Sequence, residues 1–411
     1  MKQPAIRLPH APTDTPAAAV SGLSICIPVY NEEDAISETL ERCLATTGAL
    51  ADAGINAVEI IVVDDGSSDG TLEKVRRFPQ VRLIQHERNR GYGAALKTGF
   101  TAASYGLIGF LDADATYPPE HFPNLCRAAR EHGADLVIGS RMAGADTEMP
   151  LVRRIGNTFF ARLLALLGRT PVTDSASGMR VFRREALTVL SPLPDGLNLT
   201  PVMSTRALHE DVRVVDVPIP YRERVGDSKH SEARDGWTFL STIVWTTLAY
   251  NPVRIFGMAG LAGIALAGLI GAGLVAARLQ GVTELGPWGT FAVFIAMVAG
   301  VGGVSVFALG AWFNYLVSLF YQRRIRQGLF RAPLLSRPIE EVFLPVGAVT
   351  LASGVGVALG SFLLALNGWE VERLWLYLSG SALLLFVGLQ LLISWLVMSV
   401  LRELSERGRT A

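Results

Sequence analysis

The pattern of apolar and polar positions changes near residue 250. Before that point, short apolar runs alternate with amphipathic stretches, and from residue 23 to about residue 139 this predicts strands separated by single helices. Such an alternation is typical of a mostly parallel, doubly wound α/β sheet. The predicted strands are LSICIPVY, VEIIVVDDG, VRLIQH, LIGFL and ADLVIGS, and after the predicted helix RRIGNTFFARLLALLG comes VVDVPIPY, which we expect at a sheet edge because of its prolines.

Beyond residue 254 come four apolar runs, each long enough to cross a bilayer. We therefore predict an α-helical membrane domain of four transmembrane helices. Gly356 and Gly360, in the third run, have the small-xxx-small spacing that favours close helix packing. A homo-oligomer held together by these helices is a further expectation. The four runs cover about residues 255–277, 288–320, 342–366 and 374–401.

The segments that join these runs differ in their arginine content. The segment between the second and third runs contains five arginines, from Arg323 to Arg337, whereas the other two contain one each, Arg278 and Arg373. Short positively charged segments of membrane proteins usually stay on the cytoplasmic side. We therefore predict that this segment, the tail at 402–411 and the N-terminal domain lie on the cytoplasmic face of the inner or plasma membrane.

Two further segments flank the predicted soluble domain. Residues 232–254 carry Trp237 and Trp245 on an apolar stretch, which predicts an interfacial amphipathic helix that links the domain to the membrane. Residues 1–22 are rich in proline and alanine and lack the continuous apolar core of a signal peptide. We expect these first residues to form a flexible tail.

Composition narrows the function classes. The chain has no net charge at pH 7, so its charge does not favour a nucleic-acid partner. The three cysteines, Cys26, Cys43 and Cys126, are widely spaced and odd in number, and they fit neither a zinc site nor a disulfide framework. We predict that they are core thiols in a reducing compartment.

Polar side chains follow four of the predicted strands at the point where each strand ends. In an open α/β sheet these ends meet at the edge where ligands bind. Two carboxylates in the stretch GFLDADATYPPE would repel each other unless a divalent cation lay between them, although an acidic turn that caps the next helix is an alternative reading. The edge as a whole predicts a site for a metal–diphosphate ligand with a base or ribose. Its residues are Tyr30, Asn31 and Glu32 after the first strand, Asp64 and Asp65 after the second, Asp112 and Asp114 after the fourth, and Arg141 after the fifth.

Five motifs in order, IPVYNEE, VVDDGSSDGT, NRGYGAALKTGF, LDADATYPP and GSR, resemble those of the family 2 glycosyltransferases with the GT-A fold. More narrowly they resemble the dolichyl- or polyprenyl-phosphate sugar synthases, and the later stretches DSASGMRVFRREAL and RERVGDSKH strengthen that match. The resemblance covers residues 23–230 and implies a GT-A glycosyltransferase domain at 23–231. The four predicted membrane helices also fit this group, because some of its members carry such a region.

The resemblance implies roles for particular residues. Asp112 and Asp114 would be the DXD pair that holds Mg²⁺ or Mn²⁺. Arg141, Arg153 and Arg154 are candidates to hold the acceptor phosphate, and the alternative, favoured for Arg153 and Arg154, is contact with the membrane surface or a solvated position. The chain departs from the family pattern at Thr116, where many relatives have Gln, and it has no serine four residues after Arg153 or Arg154. The implied catalytic residues are Asp114, Arg141, Arg224 and Lys229. The implied nucleotide-sugar site comprises Pro28, Tyr30, Glu32, Val63, Asp64, Asp65, Asp112, Ala113, Asp114, Thr116, Arg141, Arg224, Ser228 and Lys229.

These features together predict a membrane-bound, metal-dependent, inverting hexosyltransferase. It would move one sugar from a nucleotide diphosphate sugar, GDP-mannose or a UDP-hexose, to a dolichyl or undecaprenyl phosphate. One alternative is a processive polysaccharide synthase, but the Q-x-x-R-W motif and the preceding spans usual in those enzymes are not found. A second alternative is a non-enzymatic lipid flippase or scaffold, against which the DAD and GDSK motifs argue.

Overall fold

The computed structural model describes residues 22–142, 149–167, 172–210, 212–222, 232–321 and 339–410. The chain divides into two compact units, Met1–Ile243 and Val244–Ala411.

The first unit is built on one sheet. Within the described residues its strands are β1 (Gly22–Val29), β2 (Ala57–Asp64), β3 (Arg82–Gln85), β4 (Leu107–Phe110), β5 (Leu136–Ser140), β6 (Arg180–Arg183) and β7 (Val214–Pro218). Their order across the sheet is β3-β2-β1-β4-β6-β5-β7. All neighbouring pairs are parallel except the two made by β6, which runs in the opposite direction. The predicted mostly parallel α/β sheet is therefore confirmed.

All six predicted strands are present, and VVDVPIPY forms β7 at the sheet edge, as expected from its prolines. The strand that the sequence analysis missed is β6, which has only four residues, RVFR. Its first residue, Arg180, pairs with Phe110 of β4 and Ile138 of β5. Because β6 is reversed, the segment that precedes it lies at the edge where β4 and β5 end.

Helices cover the sheet of the first unit. The central strand β1 is buried along its whole length, as expected for a parallel strand with both faces covered. The amphipathic stretch after β1 buries Ile36, Leu40 and Cys43 on one face. The helices are α1 (Ile36–Ala45), α2 (Thr47–Asp52), α3 (Thr71–Val75), α4 (Tyr92–Ala102), α5 (Phe122–Glu131), α6 (Leu151–Leu167), α7 (Ala186–Leu190), α8 (Leu199–His209) and α9 (Glu232–Tyr250), of which α9 continues into the second unit.

The second unit consists of long apolar helices. Four of its described helices are long and apolar enough to cross a membrane, over Pro252–Leu279, Pro287–Val317, Glu341–Leu366 and Trp375–Leu404. This confirms the prediction of four long apolar helices after the sheet domain. The full helices are α10 (Pro252–Leu279), α11 (Pro287–Tyr321), α12 (Ile339–Leu366) and α13 (Trp375–Thr410).

Glycines bring these helices together, but at other positions than predicted. Within the described chain, a Cβ added at Gly356 or Gly360 would meet no other atom within 4 Å, so this pair makes no close contact with another helix of the same chain, and its packing against a second copy stays a prediction. Gly354 of α12 lies against the backbone of α13, and Gly388 of α13 lies against the backbone of α12. A Cβ added at either glycine would collide with the backbone of the other helix. The contacting face of α12 is therefore offset from the Gly356–Gly360 face.

Candidate functional site

A first cavity, of about 410 Å³, lies where β1, β2 and β4 end. It brings together seven of the residues proposed for the nucleotide-sugar site: Pro28, Tyr30, Glu32, Asp65, Asp112, Ala113 and Asp114. Its other described walls are Val29, Asn89, Tyr92, Ala95 and Leu197.

A second cavity, of about 400 Å³, adjoins the first and shares Tyr92, Asp112, Asp114 and Leu197 with it. Its walls combine polar and cationic side chains with an apolar part. Among the residues that the structure describes, Arg154 lines neither cavity and is exposed on α6. The polar walls include Thr116, Tyr117, Arg141, Arg153, Asn157, Thr200 and Tyr221, and the apolar walls include Met149, Val152, Phe160 and Phe239.

The two carboxylates of the DAD stretch each accept a hydrogen bond from a hydroxyl. The Tyr92 hydroxyl donates to Asp112 Oδ1 over 2.7 Å, and the Thr116 hydroxyl donates to Asp114 Oδ1 over 2.6 Å. Between them, Ala115 has φ +60°, a left-handed conformation that strains a residue with a Cβ. The tight turn at Ala115 therefore holds Thr116 against Asp114, so that Thr116 acts on this site through the carboxylate.

The donor set fits a divalent cation that is shared with a diphosphate. Within the described part of the chain, no group of three or more His, Cys, Asp or Glu side chains could hold a metal ion. Mg²⁺ is commonly bound by one or two carboxylates together with substrate phosphates and water. Asp112 and Asp114, placed on the shared wall of the two cavities, provide that number of carboxylates.

Asp64 and Asp65, which follow β2, differ in their surroundings. Asp65 lines the first cavity and its carboxylate accepts the backbone N–H groups of Arg90 and Gly91, at 3.0 and 2.8 Å, with His86 Nδ1 2.7 Å away. Asp64 is buried and accepts the N–H of Ser67 at 3.3 Å. Asp65 thus faces the cavity, whereas Asp64 shapes the turn behind it.

Val63 is one of the proposed nucleotide-site residues that the described cavity walls do not include. It is fully buried in β2 and would lie in van der Waals contact with a Cβ added at Gly99 of α4. Its side chain therefore supports the sheet beneath the site.

The loops after β1 and β2 are tied to each other. Asn31 has φ +53°, and its side-chain oxygen accepts the N–H of Ser68 at 2.8 Å. The backbone N–H of Glu32 donates to the Thr71 hydroxyl over 2.8 Å. These bonds fix the loop that carries Tyr30 and Glu32 at the first cavity.

Arg141 follows β5 and forms an ion pair with Asp174. Its Nε and Nη2 lie 2.7 and 2.8 Å from the two carboxylate oxygens, and its guanidinium carbon lies 5.7 and 5.3 Å from the ring centres of Tyr117 and Tyr221. Burial raises the pKa of Asp174, but the charge of Arg141 and the hydrogen bonds that it donates together outweigh burial and lower the pKa. Burial would likewise lower the pKa of Arg141, but Asp174 holds it well above its usual value. Arg141 therefore enters the second cavity as a fixed, charged group.

Several site residues were missed by the sequence analysis. Tyr92 and Asp174 contact the residues predicted to be functional, and a Cβ at Gly178 would collide with the Asp112 carboxylate. They lie in the motifs NRGYGAALKTGF and DSASGMR, which gave the only signal that could have found them. Asn157 also belongs to this group, since its amide donates to Asp174 Oδ1 over 3.1 Å.

Some predictions fall outside the described residues. They concern Arg224, Ser228 and Lys229, the segment from Arg323 to Arg337, and residues 1–21. Their proposed roles stay predictions.

Comparison with known proteins decides the family. A family model described as Glycosyl transferase family 2 matches residues 24–190. Dolichyl-phosphate hexose transferase of Haloferax volcanii is 33% identical over 207 residues, which are 50% of this chain and 86% of that protein. The chain belongs to the family 2 glycosyltransferases.

Other relatives of this glycosyltransferase extend the match into the second unit. Undecaprenyl-phosphate 4-deoxy-4-formamido-L-arabinose transferase of Edwardsiella ictaluri is 29% identical over 324 residues, 75% of this chain and 92% of that protein. A model of a domain of unknown function matches residues 252–411. Among solved structures, glucosyl-3-phosphoglycerate synthase of Mycobacterium tuberculosis, in complex with Mn²⁺, UDP and glucosyl-3-phosphoglycerate, is 21% identical with a TM-score of 0.43, and the match covers 59% of this chain and 86% of that one. The resemblance to polyprenyl-phosphate sugar transferases is confirmed by these relatives, and the family match together with the mostly parallel sheet confirms the GT-A-like fold.

Proposed function

We propose that this glycosyltransferase moves one sugar from a nucleotide diphosphate sugar to a polyprenyl phosphate at a membrane surface. The observation that carries the proposal is the meeting of two cavities at Asp112 and Asp114. The first would hold the nucleotide diphosphate sugar and the second the phosphate of the lipid. The sugar would pass between them at the shared wall.

The donor would bind with a divalent metal. Asp114, with Asp112, would hold Mg²⁺ or Mn²⁺, and the remaining ligands would be diphosphate and water oxygens. When bound, the metal neutralises the charge that develops on the departing diphosphate. Arg224 and Lys229 are proposed to add positive charge there, on the basis of the sequence motif alone.

The second cavity has the chemistry of a lipid phosphate site. A polyprenyl phosphate has an anionic head and an apolar chain, and this cavity offers Arg141 and Arg153 beside Val152, Phe160 and Phe239. Phosphate monoesters have a second pKa near 6, so the acceptor is already largely dianionic at neutral pH. It needs positive groups to orient it and no strong general base.

A single displacement with inversion is the simplest mechanism for this site. The described walls of both cavities contain no serine, cysteine or histidine that could pair as nucleophile and base. An anionic acceptor phosphate can attack the anomeric carbon directly. The rate would then depend on charge stabilisation of the leaving diphosphate.

Helix α6 supports a position at the membrane surface. It exposes Leu151, Ile155 and Phe159, which recur at every fourth position, next to Arg153 and Arg154. An apolar stripe flanked by arginines is typical of helices that lie in the lipid interface. Because α6 also lines the second cavity, the cavity would open at the depth of the lipid headgroups. The arginine-rich segment at Arg323–Arg337 favours the cytoplasmic face.

The test is a transfer assay with the purified full chain in detergent. Radiolabelled UDP- and GDP-sugars are offered with a short polyprenyl phosphate, and the lipid product is analysed by mass and by NMR. We expect one sugar per lipid, β-linked when the donor is α-linked. A polymer would instead support the processive synthase, an α-linked product would exclude a single displacement, and no turnover with any donor would support the scaffold.

A further inference from the structure

The segment Arg90–Tyr92 connects two of the acidic residues at the first cavity. The backbone N–H groups of Arg90 and Gly91 donate to Asp65, which follows β2, and the Tyr92 hydroxyl donates to Asp112, which follows β4. Strand β1 lies between β2 and β4, so this segment spans the end of β1. Three consecutive residues therefore fix two carboxylates that line the first cavity.

Tyr92 is well placed to hold Asp112 rigidly. It is the first residue of α4 and follows Gly91, whose φ is +102°. The first turn of α4 is anchored by the N–H of Ala94, which donates to the carbonyl of Asp195 over 3.0 Å. Lys97, in the middle of the helix, lies 2.6 Å from the Asp195 carboxylate. Because α4 is anchored in this way, the Tyr92 hydroxyl has a fixed position, and its hydrogen bond restrains the Asp112 carboxylate.

In this hydrogen bond the Tyr92 hydroxyl is the donor and the carboxylate oxygen Oδ1 is the acceptor. Gly178 also lies so close to this carboxylate that a Cβ there would collide with it. Tyr92 and Gly178 therefore both restrict the Asp112 side chain.

We propose that Tyr92 is a positioning residue that holds Asp112 for the divalent metal and the diphosphate of the donor. This inference rests on the proposed function, because it assumes that Asp112 and Asp114 bind a metal. Groups that orient a metal-binding carboxylate typically change metal affinity 10–100-fold when they are removed. Tyr92 would act only through Asp112, and the acceptor would not depend on its hydroxyl.

The decisive variant is Tyr92→Phe, which keeps the ring that lines both cavities and removes the hydroxyl. Mn²⁺ binding is measured on the full chain in detergent by electron paramagnetic resonance, in the presence of UDP and separately of GDP. We expect Mn²⁺ affinity to fall by about 10–100-fold. Nucleotide binding without metal and the acceptor KM should stay unchanged. Tyr105→Phe, at a tyrosine that lines neither cavity, is the matched control.

A double-mutant cycle separates positioning from direct contact. In an Asp112→Ala background, Tyr92→Phe should cause no further loss of Mn²⁺ affinity, because the group through which it acts is gone. An additional 10-fold loss in that background would show that Tyr92 contacts the ligand itself and would overturn the inference. If Tyr92→Phe binds Mn²⁺ as the wild type does, the inference is also wrong while the proposed function stands. If the wild type binds no Mn²⁺ with either nucleotide, the metal part of the proposed function fails and this inference fails with it.

Discussion

The guanidinium of Arg141 donates two hydrogen bonds, 2.7 and 2.8 Å long, to the two carboxylate oxygens of Asp174. Asp174 is fully buried, whereas Arg141 faces the second cavity. Both partners stay charged, but their opposite charges largely cancel at a distance, so this arginine is better suited to orienting an anion than to attracting one from far away. Asp174 also accepts the Asn157 amide, which connects α6 to the same carboxylate.

Asp174→Ala should destabilise the first unit and weaken acceptor binding. Removing one partner of a buried ion pair leaves an uncompensated charge, which typically costs about 3–5 kcal/mol. Unfolding in detergent measures the stability, and acceptor KM should rise while donor KM stays near the wild-type value. Glu370→Gln, which breaks an exposed pair with Arg373, is the control and should change stability by less than about 0.5 kcal/mol. Equal increases in both KM values would contradict a role limited to the second cavity.

The stability difference between the wild type and Asp174→Asn should depend on pH. The pKa of Asp174 is lowered in the folded state because Arg141 outweighs the opposing effect of burial. A carboxyl group with a lowered folded pKa contributes stability above its unfolded pKa of about 3.9, and this contribution is lost as the pH falls through the folded value. The melting temperatures of the two proteins in detergent should therefore differ by a constant amount from pH 7 to pH 5, and this difference should shrink as the pH falls below about 3.9. A difference that did not shrink below that pH would show that charge is not the cause.

Gly178→Ala should reduce activity without unfolding the chain. The new methyl group would push the Asp112 carboxylate away from the shared wall of the cavities. Displacing such a group commonly costs about 10–100-fold in activity or metal affinity. The control is Gly106→Ala, since a Cβ at Gly106 meets no atom within 4 Å. Similar kinetics for the two alanine variants would show that Asp112 tolerates the shift.

Turnover should stop when the metal is removed. Excess EDTA and Asp114→Ala should each lower the transfer rate by at least about 10²–10³-fold, because charge on the departing diphosphate is no longer neutralised. Added Mg²⁺ or Mn²⁺ should restore the EDTA-treated wild type but not the variant. Full activity in EDTA would exclude the metal.

Cysteine labelling should report the topology. A membrane-impermeant reagent added outside the cell should react with Glu284→Cys and Asn367→Cys but not with Gln327→Cys, because the arginine-rich segment is expected to be cytoplasmic. The native cysteines give little background, since all three are buried and burial raises the pKa of each thiol. External labelling at position 327 would reverse the proposed orientation and remove access to cytoplasmic donors.

The residues of the candidate site that could be predicted are those whose neighbours in the sequence form a recognisable pattern. Asp65, Asp112 and Asp114 each follow a continuous apolar strand that ends at a residue unfavourable to strands, and parallel strands bring such ends to one edge. The four residues of β6 carry no such signal, because they become a strand only by pairing with β4 and β5. The location of Arg141 was therefore predictable, whereas its pairing with Asp174 was not.

The direction in which side chains point is a second feature that could not be predicted from the sequence. Spacing alone selected Gly356 and Gly360, but it cannot say which face of α12 meets α13, and the contact is made through Gly354. Similarly, the sequence presents Thr116 as a candidate ligand, and only the turn at Ala115 reveals that its hydroxyl points to Asp114. The rotation of a helix about its own axis and the direction of a side chain are both three-dimensional features, and the order of residues along the chain does not determine either of them.

The wall shared by the two cavities has a consequence for the order of substrate addition. Asp112 and Asp114 border both cavities, so a donor and metal bound in the first would complete the boundary of the second. A lipid phosphate that arrived first would meet two unneutralised carboxylates and be repelled. Catalysis would then follow a compulsory sequence in which the donor binds before the lipid and the nucleoside diphosphate departs last, so that accumulated nucleoside diphosphate would inhibit by competing with the donor alone.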